Sequence, residues 1–178
     1  KIGTNVLTTG GRLDESYIET IADGVAELVA AGRRVLLVSS GAIGMGAREL
    51  DIEHRVSNIT MRQACAAIGQ PLLMNSYRRA FGERGLQVAQ VLLTREVLDR
   101  RTSYVNLRNA VESLLSLGVV PVFNENDSIS TEEIGTAFGD NDRLSALVAS
   151  KVDAELLIML TDIDALYDQD PRRHADAQ

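Results

Sequence analysis

Two short runs hold most of the side chains able to do chemistry. Asn124-Glu125-Asn126-Asp127 sets four hydrogen-bonding residues in succession, more than a single turn uses. Gly139-Asp140-Asn141-Asp142 stands just before a helix expected near Arg143. One Asp or Asn is enough to cap a helix, yet three occur together there. Neighbouring carboxylates repel unless a cation or an ammonium group lies between them. A hard cation such as Mg²⁺, shared between carboxylates and substrate phosphates, suits the pool Asp127, Asp140, Asp142 and Asp162. Taken singly, each of these residues reads equally well as a cap or a turn residue. No Cys/His spacing suits zinc, and His54 and His174 sit in polar surroundings expected to face solvent.

The positive charges are lopsided, with sixteen arginines against two lysines, Lys1 and Lys151. Neither lysine has the Gly-Lys-Ser/Thr context of a Walker A loop. Gly41 to Gly46 has its glycines in the order GxxGxG, which is not the GxGxxG fingerprint of a dinucleotide site. Both routes to a nucleotide through a standard loop are therefore disfavoured.

The elements that must position these residues come from a chain of 178 residues, 45% of them hydrophobic and 24% charged. That is the composition of a globular chain with one well-buried core. The net charge of −7, the absence of Trp and the seven Tyr and Phe argue against a nucleic-acid binder. Cys65 is the only cysteine and cannot close an internal bridge, and no apolar run reaches the roughly 18 residues of a membrane span. No basic stretch followed by an apolar segment marks a secretory signal, so a cytoplasmic, unanchored protein is expected.

Ile18, Ile21, Val25, Leu28 and Val29 recur at helical spacing between Asp14, a good N-cap, and Gly32, a good C′ residue. This predicts a helix over 14–31. Val35-Leu36-Leu37-Val38 follows as an unbroken apolar run, the mark of a strand buried on both faces. The alternation continues with helices expected near 60–82, 103–117 and 142–152 and strands at Leu86–Leu93, Val119–Phe123 and Leu156–Leu160. Strands separated by helices imply an α/β sheet layered between helices. The stretch from Met61 to Phe81, rich in Ala and Leu, suits the core or a subunit contact.

Polar residues follow every expected strand: Ser39-Ser40-Gly41, Thr94-Arg95, Asn124 to Asp127, and Thr161-Asp162. In open parallel sheets a ligand sits beyond the carboxyl ends of the strands, where helix N-termini point their N–H groups. The expected site is therefore one edge of the sheet.

Lys1-Ile2-Gly3-Thr4-Asn5-Val6-Leu7-Thr8, Ser39-Ser40-Gly41-Ala42, Asn124 to Asp127, Phe138 to Asp142 and Thr161-Asp162 resemble, in order and spacing, the glutamate 5-kinase family. Gln63-Ala64-Cys65-Ala66-Ala67-Ile68-Gly69-Gln70 and Leu92-Leu93-Thr94 fit as well, so the resemblance covers essentially the whole chain. It implies one amino-acid kinase domain over 1–178, a three-layer αβα sandwich with a mainly parallel central sheet, incomplete at both ends. The implied reaction is ATP-dependent phosphorylation of the side-chain carboxylate of L-glutamate, the opening step of proline biosynthesis. Proline as a feedback inhibitor and a homo-oligomeric assembly come with the same resemblance.

By that resemblance Lys1 contacts the ATP phosphates, with Gly3 and Thr4 as the close turn beside it. Ser40, Asp127 and Asn141 hold glutamate, with Asn124 and Asp140 nearby in the same role. Asp142 organises the transfer, and Thr161 and Asp162 lie at the nucleotide. The chain departs from many relatives at Ile134-Gly135-Thr136-Ala137-Phe138, where they carry a basic residue. Most of the family's first strand, and a later glycine-rich segment with a second phosphate-contacting lysine, are expected outside this sequence.

The residue types agree with such a reaction. Two unit charges ~4 Å apart repel by ~4 kcal/mol at an effective dielectric of 20, so two anionic reactants need a cation between them. A carboxylate is already ionised near neutral pH and needs no general base, which suits a chain with no candidate histidine. The alternatives are a kinase of the same fold acting on acetylglutamate, aspartate or a nucleoside monophosphate, and a non-catalytic amino-acid sensor. Lys1-Ile2-Gly3-Thr4 weighs against the first group, whose members usually carry Gly-Gly after the first lysine.

Overall fold

The computed structural model describes residues 1–9, 12–94, 97, 100–129, 141–162, 165, 167–169 and 174. A short helix α1 (Thr4–Leu7) leads into a hairpin of β1 (Thr8–Thr9) and β2 (Arg12–Leu13). Then follow α2 (Glu15–Ala30), β3 (Leu37–Val38), α3 (Ala42–Glu49), α4 (Ile59–Gly82), β4 (Gln87–Leu93), α5 (Arg101–Ser116), β5 (Val119–Glu125) and α6 (Asn141–Lys151).

Local chemistry sets the helix ends. The Asp14 carboxylate accepts from the Tyr17 N–H at 3.1 Å and starts α2. Gly32 then turns the chain out of it at φ +77°, a left-handed conformation that glycine adopts without a Cβ clash. Asn58 caps α4 in the same way, accepting from Met61 N–H at 2.9 Å. Ile18, Ala22 and Val25 form the buried stripe of α2.

The sheet is parallel, in the order β3-β5-β4, with Leu37 opposite Val122 and Gln87 opposite Val119. Beyond β3, the Ile2 N–H donates to the Val38 carbonyl at 2.8 Å, and Ile2 bridges in parallel to Leu160. The carboxyl ends of all these segments therefore lie along one edge.

Alternation along the strands feeds two cores. Leu37, Val120 and Val122 pack with Ile18, Val25, Leu73, Tyr77 and Phe81 from α2 and α4. Val38 and Phe123 pack with Leu107, Val111, Leu144 and Val148 from α5 and α6. Helices on both faces of a parallel sheet give the expected three-layer αβα sandwich. The buried face of α4 assigns Met61–Phe81 to the core, since Cys65, Ala66, Leu73, Tyr77, Ala80 and Phe81 are all buried within this chain.

Two expected strands differ. Val35 and Leu36 still pack against opposite cores, but the ladder begins only at Leu37. In 156–160 only Leu160 is bridged, and Leu156 to Met159 are exposed, Leu156 at 74%. Among the described residues, that segment has the Lys1–Ile2 stretch as its single strand neighbour and no element packed over its exposed apolar side chains.

The spacing did not predict α3, which is rich in glycine and short. It forms because it packs closely on α4. A methyl at Gly46 would run into the Cys65 carbonyl, and one at Gly69 into the Ala42 carbonyl. Gly41, at φ +102°, makes the turn from β3 into α3. The GxxGxG order thus serves a turn and a helix contact. Among the described residues, no helix is long and apolar enough to cross a membrane.

Candidate active site

Asn141, the first residue of α6, is the junction of the site. Its Nδ2 donates to the Ser39 carbonyl at 2.7 Å, to Ser40 Oγ at 2.5 Å and to Asn124 Oδ1 at 3.1 Å. These contacts tie the loop after β3, the end of β5 and the start of α6 into one cluster. The two acidic runs therefore meet on the same side of the molecule, for the residues that are described. Asp140 lies outside the described residues.

Ser39 is itself held from both sides. Its N–H donates to the Phe123 carbonyl at 2.9 Å, and its Oγ shares a hydrogen bond with the Tyr77 hydroxyl at 2.9 Å. Tyr77 is fully buried, and that burial pushes its phenol well above the ordinary tyrosine range.

Beside this cluster the Lys1 ammonium forms an ion pair with the Asp142 carboxylate. The lysine side chain is 11% exposed and the aspartate 37%, so the pair is sheltered on the lysine side and open on the other. Gly3 lies close beside it: a Cβ there would sit 3.4 Å from Lys1 Nζ. Asp142 also occupies the first turn of α6, where a negative charge is favoured by the helix dipole. Thr161 and Asp162 are exposed and follow Leu160, whose N–H donates to the Lys1 carbonyl at 2.8 Å. They stand at the same sheet edge, as does exposed Thr4 next to Gly3.

On the other side of Asn124, a cavity of about 240 Å³ opens, with Ala42, Gln70, Pro71, Gln90, Glu125 and Asp127 in its wall. Burial raises the Asp127 carboxyl above the usual carboxylate range, an effect that Arg62 partly offsets. Pro71 lies inside α4 and has no N–H to give the Ala67 carbonyl, and both residues line the cavity. Asn126, in contrast, serves the turn: its Oδ1 accepts from Ser128 Oγ at 2.6 Å and its N–H donates to the Leu93 carbonyl at 2.8 Å.

The wall of the cavity offers acceptors to a bound ammonium, and the Lys1 side offers a cation to a bound anion. A zwitterion with a second carboxylate suits such a divided site. Among the described residues, no three Asp, Glu, His or Cys side chains converge on a metal position, so Asp127, Asp142 and Asp162 do not form a common ligand set. His54 and His174 are exposed, as expected.

Reasoning from residue types alone left Gln70, Gln90, Ser39 and Tyr77 without roles. Gln70 falls on the buried face of α4 in step with Ala66, Leu73 and Tyr77. A glutamine in register with apolar core positions was the available signal.

Two solved structures share the fold. An isopentenyl phosphate kinase from T. acidophilum in its product complex superposes with a TM-score of 0.65 at 20% identity, over 99% of this chain and 74% of that one. A UMP kinase from Bacillus anthracis gives 0.58 at 16%, over 99% and 69%. The family model for the amino acid kinase family matches residues 1–178, and the chain belongs to that family.

Curated relatives are more similar in sequence. The glutamate 5-kinase of Methanosarcina mazei is 50% identical over 186 aligned residues, which cover 100% of this chain and 48% of the relative. Those of Geobacter sulfurreducens and Thermus thermophilus are each 49% identical, again over 100% of this chain and 48% of theirs. The chain spans about half the length of the curated relatives it matches.

Proposed function

We propose that this chain supplies the amino-acid site and part of the phosphate site of a glutamate 5-kinase, which phosphorylates the side-chain carboxylate of L-glutamate with ATP as the first step of proline biosynthesis. The observation that carries this reading is the junction at Asn141, which joins Ser40 and Asn124 next to the Lys1–Asp142 pair. The similarity to glutamate 5-kinases along the whole chain supports the same substrate.

In this reading Ser40, Asn124, Asp127 and Asn141 bind glutamate, with Asp140 assigned by resemblance. The Asp127 carboxylate attracts the ammonium group of the substrate. The Ser40 hydroxyl accepts from Asn141 and keeps its own proton to donate to a carboxylate oxygen. No residue has to remove a proton, because the attacking carboxylate is ionised at neutral pH. The chain's contribution is position and charge.

On the phosphate side the Lys1 ammonium lies against the turn at Gly3, 3.4 Å from where a Cβ there would stand. Lys1, Gly3, Thr4, Thr161 and Asp162 would hold ATP there. When bound, ATP supplies the phosphoryl group and Mg²⁺ offsets the charge of its phosphates. Asp142 holds the Lys1 ammonium at the place where negative charge gathers during transfer. Proline carries the same α-carboxylate and a secondary ammonium in place of glutamate's primary one, and in this reading competes for the same acceptors as a feedback inhibitor.

The test is hydroxylamine trapping. The full-length protein that contains this chain, given ATP, Mg²⁺ and L-glutamate, forms a hydroxamate from the acyl phosphate. Hydroxamate only with acetylglutamate or aspartate would move the substrate assignment. Glutamate binding with no product from any of them would identify a sensor and end the kinase reading.

A further inference from the structure

Four side-chain amides run through the site head to tail. Asn141 Nδ2 donates to Asn124 Oδ1 at 3.1 Å, Asn124 Nδ2 donates to Gln70 Oε1 at 2.8 Å, and Gln70 Nε2 donates to Gln90 Oε1 at 3.1 Å. An amide with its oxygen and nitrogen exchanged has nearly the same shape, so the direction of such a chain needs fixed points.

Two backbone groups provide them. The Glu125 N–H can only donate, and it lies 2.9 Å from Asn124 Oδ1. The Ser39 carbonyl can only accept, and it lies 2.7 Å from Asn141 Nδ2. The Asn124 oxygen is therefore pinned, its nitrogen must turn to Gln70, and Gln70 must answer with its oxygen. That leaves the Gln70 nitrogen for Gln90 at the cavity wall.

The direction decides what the site can offer. Asn141 has two amide hydrogens facing three protein acceptors, so its donor capacity is spent. Its remaining capacity is the side-chain oxygen, which accepts. Both lone-pair positions of Asn124 Oδ1 are taken by Glu125 N–H and Asn141. Gln70 is 6% exposed and Asn124 2%, so water does not readily replace either partner.

We propose that Gln70 is a positioning residue: as the acceptor for the Asn124 nitrogen it keeps Asn124, and through Asn124 Oδ1 also Asn141, in the orientation that the two backbone groups set, with the Asn141 oxygen as the group presented to ligand, so that the site selects an ammonium there. The proposal rests on the reading of Asn124 and Asn141 as glutamate-binding residues. It assigns a role to a residue of α4 that lies behind the substrate groups.

The test compares Gln70→Leu with Gln70→Glu in the full-length protein. Leucine removes the acceptor for Asn124 and also leaves its nitrogen without a partner. Glutamic acid keeps an acceptor in either protonation state, and when protonated reproduces both bonds of the glutamine. Gln70→Leu should raise KM for glutamate about tenfold or more, leave KM for ATP within about twofold, and shrink the preference for glutamate over glutarate, which lacks the ammonium. Gln70→Glu should restore KM to within about threefold of the unaltered protein. A fall in kcat or melting temperature with both KM values and the glutarate preference unchanged would show a merely structural glutamine and overturn the proposal.

A measurement on the unaltered protein guards against a leucine variant that does not fold. The side-chain NH₂ protons of Asn124 and Gln70 should exchange with solvent far more slowly than those of an exposed glutamine. Exchange at the exposed rate would overturn the relay. If those protons are protected and the unaltered protein forms no hydroxamate, the relay stands and the kinase reading is the one that falls.

Discussion

The Lys1 ammonium and the Asp142 carboxylate form an ion pair at the carboxyl edge of the sheet, one from the extended segment beside β3 and the other from the first turn of α6. The pairing joins the cation proposed to contact phosphate to the residue that follows Asn141, the proposed glutamate ligand. Asp142→Ala in the full-length protein should lower kcat on the order of a hundredfold or more. Because the carboxylate is 37% exposed, the stability lost should stay near about 1 kcal/mol. Hydroxamate formation and a thermal melt measure the two effects, and an unfolded variant would point to helix capping as the main role.

Asp127 gives a pH signature. Burial keeps its carboxyl protonated to a higher pH in the folded protein than in the unfolded chain. Across the window between the two values the folded state binds more protons, so this group makes stability decline as pH rises through it. Asp127→Asn should abolish that decline, be more stable than the unaltered protein at neutral pH, and raise KM for glutamate about tenfold or more with little change for ATP. Urea midpoints followed from about pH 4 to about pH 7 test the first part. Equal weakening of glutamate and ATP would show that the division of the site is misplaced.

The α3–α4 contact predicts a contrast among glycines. Gly46→Ala and Gly69→Ala each drive a methyl into a backbone carbonyl of the facing helix and should destabilise by about 3 kcal/mol or prevent folding. Gly44→Ala, in the same helix with open space around it, should be neutral or stabilising by up to about 1 kcal/mol. Comparable losses at Gly44 and Gly46 in urea unfolding would contradict the close packing.

Tyr77→Phe removes a buried hydroxyl that shares its hydrogen bond with Ser39. A loss of about 1–2 kcal/mol is expected at neutral pH. The raised phenol also means that the folded state keeps a proton the unfolded chain gives up, so stability falls as pH rises above the unfolded tyrosine value of about 10. The phenylalanine variant should lose less stability than the unaltered protein over that alkaline range. Parallel curves for the two would argue that this hydroxyl is hydrated in solution.

Much of the architecture was legible because it is built from short-range signals. Apolar spacing and the cap at Asp14 mark α2, the helix expected near 60–82 matches α4, and apolar runs mark β4 and β5 to within two residues of their observed ends. The edge segment before Leu160 was misjudged because an apolar run reports a wish for burial, while a ladder needs partners on hand. α3 was missed because glycine has low helix propensity, and here the cost is offset by backbone contact with another helix.

Residue type and order alone determined which groups are available: a lysine beside a glycine, two runs of amides and carboxylates, and polar residues after every strand. Tertiary structure decided which of them meet. It set Asn141 against Ser40 and Asn124, paired Lys1 with Asp142, gave Asn126 to a turn, and drew Gln70 in from α4. Side-chain chemistry is local to each residue, whereas a hydrogen bond between residues far apart in the chain exists only once the sheet has brought its carboxyl ends to one edge.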